Sequence, residues 1–146
     1  MRLISHRGNI NGIIPQNENT KKYIENAILS GYDVEVDIRY INNQLFLGHD
    51  EPIEKIDFDW LSKKEKFLWI HCKNIEALIF LKESLNCFYH TTEDYVLTSR
   101  GDIWSFSGIK LYKNIIAVLP ENHNYDKKDL EKCYGICSDE INRYKL

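Results

Sequence analysis

In the run Asp33-Val34-Glu35-Val36-Asp37-Ile38-Arg39, charged residues alternate strictly with aliphatic ones. A period of two is that of a β-strand, so the carboxylates share one face and the aliphatic side chains the other. On an amphipathic surface strand such acids simply face water. If helices of a parallel sheet cover the aliphatic face, the acids look inward, where their repulsion is severe and a bound cation relieves it. Carboxylates at i and i+2 lie about 7 Å apart at Cα, so oxygens of Glu35 and Asp37 can meet on one ion. Upstream, His6-Arg7-Gly8 sets an imidazole beside a guanidinium, whose forked donors suit phosphate, and a glycine that lets backbone approach a ligand. Downstream, Gly48-His49-Asp50-Glu51-Pro52 carries a second histidine. Taken singly, each histidine is equally explained as structural, one at a strand end and one in a turn.

These residues need a scaffold, and apolar runs of strand length supply one. They fall at 3–6, 32–40, 44–47, 67–72, 87–90, 95–98, 103–106, 115–119 and 134–137. Between the first two, residues 18–30 place Tyr23, Ile24, Ala27 and Ile28 on one helical face, and Gly31 is a natural stop. Asn74 can cap a second helix carrying Ile75, Leu78, Ile79 and Leu85, ended by Asn86. A third, shorter helix is expected after Asp126, with Leu130 toward the core. Alternation of strands and helices predicts an α/β fold with a parallel sheet, doubly wound or closed into a barrel. An eight-fold barrel typically takes ~250 residues, so a barrel here must be contracted, with several helices lost or shortened. Ser99-Arg100-Gly101 is one such place, able to turn one strand straight back into the next.

At 146 residues the chain is expected to form a single domain spanning 1–146. Its 28% charged and 43% hydrophobic content is that of a globular protein rather than a disordered one. A net charge of -3 disfavours nucleic acid or another polyanion as partner, while a local basic pocket can still hold one phosphate. No apolar stretch approaches the ~20 residues of a transmembrane segment. Cys72, Cys87, Cys133 and Cys137 form no CxxC pair and no secretory segment is apparent, so reduced thiols and a cytoplasmic location are expected. Cys133 and Cys137 are read as packing residues rather than a metal pair. Few helices to cover the strands leaves room for a homodimer that buries exposed sheet.

Four segments together resemble the opening of a known family: His6-Arg7-Gly8; Pro15 with Asn17-Glu18-Asn19-Thr20; the strand from Gly31 to Arg39; and Leu47-Gly48-His49-Asp50. Their order and spacing are similar to those of glycerophosphodiester phosphodiesterases, PI-PLC-like enzymes of the TIM-barrel type. Tyr134-Gly135-Ile136-Cys137-Ser138-Asp139 resembles the family's last strand. The resemblance implies a short, divergent member: a TIM-barrel-like phosphodiesterase using a divalent cation at the C-terminal strand ends. By matching position, His6 and His49 would be the catalytic acid–base pair, Arg7 would bind phosphate, and Glu35 and Asp37 would hold the metal. Glu18 would stand near Arg7 or the metal, or else help cap the helix with Thr20.

The middle of the chain departs from the pattern. Where the family carries a metal-binding glutamate and a phosphate-facing lysine, this chain has Ile70-His71-Cys72-Lys73, which keeps the lysine alone. Lys73 is expected on phosphate. His71 is either a third metal ligand or sits behind the ion with water filling the gap. Mg²⁺ or Ca²⁺ fits an oxygen site best, and an imidazole ligand would also admit Mn²⁺ or Zn²⁺. The aromatic residues of 88–106 are core or pocket rim; in the second case Trp104, Tyr95 and Arg100 would face a sugar, polyol or base. His90 and His123 have no motif and are read as non-catalytic. The expected function is metal-dependent cleavage of a glycerophosphodiester-like or sugar/polyol phosphodiester, a small-molecule substrate. Two alternatives are a non-catalytic phospho-ligand binding module and a phosphodiester lyase giving a cyclic phosphate.

Overall fold

The alternation that marks Asp33–Ile41 makes it the strand around which the sheet is built. The computed structural model describes residues 1–145. Seven strands run parallel: β1 (Arg2–His6), β2 (Asp33–Ile41), β5 (Leu68–Cys72), β6 (Cys87–Phe88), β8 (Ile103–Ser105), β9 (Ile115–Val118) and β10 (Gly135–Ser138). Their spatial order is β6-β5-β2-β1-β10-β9-β8, and β7 (Tyr95–Leu97) adds antiparallel to β8. The nine-residue β2 serves two neighbours. Val34 to Ile38 pair with β5, and Ile38 to Ile41 pair with the antiparallel meander of β3 (Gln44–Leu47) and β4 (Glu54–Ile56).

The sheet is curled. Ile4, Trp69, Phe88, Trp104, Ile116 and Cys137, one from each of six strands, form a single buried cluster on its concave face. Phe88 stacks on Trp104 with centroids 4.7 Å apart, joining β6 to β8 across the inside. The same two regions also approach along their edges, where Ser99 N donates to the Cys87 carbonyl at 2.8 Å. On the convex face Val34, Val36, Ile38, Ile70 and Cys72 pack under α1 (Lys21–Leu29), α2 (Phe58–Ser62) and α3 (Ile75–Leu81). A second outer cluster, with Ile115, Ala117, Ile136 and Ile141, lies under α4 (Lys127–Glu131) and the 3-10 turn Ile141–Tyr144.

Capping explains where the helices begin. Thr20 accepts from Tyr23 N at 3.3 Å, so α1 starts at Lys21 rather than at residue 18, and Glu18 stays outside it. Asn74 accepts from Ala77 N at 3.2 Å, and α3 ends at Leu81, short of the expected Asn86. Asp126 precedes α4 without a side-chain capping bond. Ser99, Arg100 and Gly101 do form a reversal: Gly101, at φ 90°, donates to the Thr98 carbonyl at 2.9 Å and turns β7 back into β8. The short elements β4 and α2 carry too little periodicity to stand out in the sequence.

All four cysteines are free and buried. Cys137 faces the inner cluster and Cys133 an outer one, so they pack on opposite sides of the sheet and form no metal pair. Among the described residues, no helix is long and apolar enough to cross a membrane.

Phe88 is 1% exposed and ties the two ends of the parallel run together. Phe88→Ala is expected to cost about 3–5 kcal/mol of stability, read from the midpoint shift in urea denaturation.

Candidate metal centre and active site

Period-two alternation turns Asp33, Glu35 and Asp37 to the concave face, and the pairing register decides what meets them. His6 of β1 lies opposite Glu35, and His71 of β5 lies opposite Asp37. Glu35 is 3% exposed, Asp37 0% and His71 9%. His71 Nδ1 stands 3.1 Å from Asp37 Oδ1 and 3.8 Å from Glu35 Oε1. One ligand atom from each of these three side chains lies within 4.8 Å of the others. Asp33 does not join them. It is held two residues earlier along the strand, by Arg2 at 3.2 Å and by the Trp69 indole N–H at 3.1 Å.

Cations and amides surround the pair of acids. Arg7 Nε is 3.1 Å from Asp37 Oδ2 and its Nη1 3.4 Å from Glu18 Oε2, while Lys73 Nζ is 3.9 Å from Asp37 Oδ1. Buried Asn19 donates to Asp37 Oδ2 at 2.8 Å and accepts from Asp37 N at 2.9 Å. His6 Nδ1 is 2.7 Å from Asp139 Oδ1. Asn9, fully buried, donates to both Glu18 (2.6 Å) and Asp139 (2.8 Å), linking the partner of Arg7 to the partner of His6. Gly8, at φ 93°, is required here: a Cβ would lie 2.6 Å from the Tyr23 ring. His49 projects from the loop after β3, which Arg39 braces by donating to the carbonyls of His49 (2.6 Å) and Asp50 (2.9 Å). Gly48 N donates to the Asp37 carbonyl at 3.0 Å, anchoring that loop to the acidic strand.

Burial and the neighbouring charge of Asp37 push the Glu35 carboxyl up to about 7. Burial works the same way on Asp37, but the neighbouring His71 and the charge of Arg7 outweigh it and hold that carboxyl below its ordinary value. Burial lowers His71. For His6, burial is outweighed by Asp139 and Glu35, which raise it. Glu35 Oε2 is buried and accepts no hydrogen bond, and buried Asp37 Oδ1 has only the His71 ring nitrogen at 3.1 Å and Lys73 Nζ at 3.9 Å beside it. Such orphaned anionic oxygens are costly unless an ion meets them, and beside an imidazole nitrogen they fit a divalent cation. The Glu35, Asp37 and His71 cluster can therefore hold a metal ion.

His6, Arg7, Glu35, His49 and His71 line one cavity of about 180 Å³, with Trp104 at its far wall. A second cavity of about 240 Å³, lined also by Glu18, Asn19 and Asp50, shares Arg7 and His49 with the first. The structure thus gathers His6, His49, Arg7, Lys73, Glu35, Asp37, His71, Glu18 and Trp104. Glu18 takes the place beside Arg7 and not a capping one. Of the two readings of this stretch, core or pocket rim, the rim fails for Tyr95 and Arg100, and Tyr95 packs against the outer cluster. Val96 and Trp104 point inward, so alternation turns Tyr95 out, where its hydroxyl donates to the Lys110 carbonyl at 2.6 Å. Arg100 sits in the hairpin that enters β8, at the opposite end from the site, and donates to the Ser84 carbonyl at 2.9 Å.

Four contributors lacked a sequence-level role: Asn9, Asn19, His90 and Asp139. His90 lies two residues beyond Phe88, and its ring stacks on His71 with centroids 4.6 Å apart. Burial, then the charge of His71, depress it to about 4, so it is neutral at physiological pH. Alternation from Phe88 is the one signal that could have placed it in the cavity. Comparison with family models, with curated proteins and with solved structures finds no match to this chain.

A carboxyl held at about 7 against an ordinary 4.5 makes the metal-free fold lose stability as pH rises from 4.5 through 7. Glu35→Gln is expected to raise the melting temperature of the chelator-treated protein at about pH 8 and to leave it nearly unchanged at about pH 5. Adding Mn²⁺ at neutral pH should raise the melting temperature of the wild type, and Asp37→Asn should abolish that rise.

Proposed function

We propose that the chain is a metal-dependent phosphodiesterase of the glycerophosphodiester phosphodiesterase type, cleaving a glycerophosphodiester-like or sugar/polyol diester on a contracted TIM-barrel-like scaffold. The observation that carries this is one cavity lined by two imidazoles, His6 and His49, a guanidinium, Arg7, and Glu35 and His71 of the buried cluster that Asp37 completes. The strand order supports the scaffold: β1, β2, β5 and β6 follow in sequence on one side, and β8, β9 and β10 return to β1 on the other. The two cavities that meet at Arg7 and His49 support a diester over a monoester, because a diester carries an organic arm on each side of phosphorus.

A divalent cation on Glu35, Asp37 and His71 would offset the negative charge of the non-bridging oxygens. Arg7 and Lys73 add fixed positive charge to the same end and orient the phosphate. One imidazole takes the proton of the attacking hydroxyl, from water or a neighbouring substrate group, as its oxygen bonds to phosphorus. The bond from phosphorus to the leaving oxygen breaks, and the other imidazole, in its protonated form, supplies a proton to that oxygen. Asp139 holds His6 Nδ1 and leaves Nε2 for the transfer, and it stabilises the charged ring.

Turnover of a diester panel by metal-stripped protein with Mg²⁺, Mn²⁺, Ca²⁺ or Zn²⁺ added back tests the reading. His6→Ala and His49→Ala should each lower kcat by at least about 100-fold with unchanged circular dichroism. Tight diester binding with no product would instead identify a non-catalytic phospho-ligand module. Phosphorus NMR of the product separates hydrolysis from release of a cyclic phosphate.

A further inference from the structure

The cavity has a wall that neither the cation nor the phosphate uses. Ser107 lies two residues past the end of β8 and lines the cavity, and its Oγ is 2.8 Å from His123 Nε2. His123 follows the 3-10 turn Pro120–Asn122 that succeeds β9, so the pair bridges two loops at the sheet end that carries Glu35 and Asp37. The contact is built into the backbone. Gly108 sits at φ 85°, and a Cβ there would stand 2.8 Å from His123 Cε1, so only glycine lets the imidazole lie against this loop. Tyr125 meets His123 edge to face at 5.8 Å and donates its hydroxyl to the Ile109 carbonyl at 2.7 Å, tying the two loops a second time. Beside Ser107 the wall continues with Trp104, Phe106 and His90, whose buried Nδ1 has no hydrogen-bond partner.

We propose that Ser107 is a specificity-determining residue that hydrogen-bonds a hydroxyl on one organic arm of the diester, with His123 as the positioning residue behind it; this rests on the phosphodiesterase reading. A serine hydroxyl has one proton and two lone pairs, so the bond to His123 leaves it capacity for a ligand hydroxyl. The exposed ring of Phe106 suits the C–H side of a polyhydroxylated group. Phe106 and Ser107 bring no charge to the wall, so it offers a cationic arm no counter-ion there. An arm without hydroxyls would leave Ser107 without its ligand bond, and discrimination by a polar site arises from such unpaired groups.

The test compares kcat/KM of the Mn²⁺-loaded protein on glycerophosphoinositol and on bis(p-nitrophenyl) phosphate. The wild type is expected to favour the polyol diester. Ser107→Ala should shrink the ratio of the two values about tenfold, chiefly through KM of the polyol diester, and Ser107→Thr should retain most of it. His123→Phe should shrink the ratio, and His123→Gln, which can still bond to Ser107, should restore part of it. Equal losses on both substrates, or no loss, overturn the proposal. Hydrolysis of the aryl diester without preference for the polyol one overturns it while leaving the phosphodiesterase reading intact; no turnover of either removes both.

Discussion

Two carboxylates on the inner face of one strand impose the constraint to which the rest of the site responds. Both faces of β2 are enclosed, because Val34, Val36 and Ile38 are covered by helices and Glu35 and Asp37 are covered by the curl of the sheet itself. The acids have no solvent to turn to. The protein divides the burden unequally: Asp37 receives Arg7, Lys73, His71 and Asn19 and stays ionised, whereas Glu35 is left to a raised pKa near 7. A site so arranged, with two buried carboxylates beside an imidazole, can hold a metal ion.

Backbone strain collects at the same end of the sheet. Arg7 and Asn19 both adopt positive φ, 54° in each case. Asparagine tolerates this conformation, but for arginine it costs on the order of 1 kcal/mol or more. The strain at Arg7 brings its guanidinium onto Asp37 and Glu18, and Asn19 N donates back to the Arg7 carbonyl at 3.1 Å. Those bonds, with the backbone hydrogen bond that Arg7 N donates to the Glu35 carbonyl at 3.0 Å, hold the unfavourable geometry in place. Asn9 extends the same logic outward. By bridging Glu18 and Asp139 it makes the guanidinium and the imidazole of adjacent residues parts of one hydrogen-bonded frame.

Much of this frame is legible in the chain. The alternation of β2 alone states that Glu35 and Asp37 share a face, and the caps Thr20 and Asn74 state where two helices begin. The turn at Gly101 announces a reversal that the structure realises as β7 and β8. The failures are equally specific. Tyr95 stands one residue out of phase with the inward face, so the rim reading fails and its packing against the outer cluster follows, because each step of one residue along a strand reverses the side chain. Asn9 is a single polar residue beyond a strand end with no pattern to mark it, and Asp139, though it closes the segment that resembles the family's last strand, carries no role that the segment alone assigns.

The sequence by itself determined which residues lie together within an element, because faces follow from local periods of two and 3.6 residues. Only the tertiary structure decided which face would be enclosed and who would meet whom across strands. His71 meets Asp37 because β5 pairs with β2 in one register, and His90 stacks on His71 because β6 continues beside it. The curl that brings Trp104 to Phe88 joins strands at opposite ends of the parallel run, with five other parallel strands between them in the sheet. Such contacts depend on long-range pairing and closure, whose energetics no local window of residues contains.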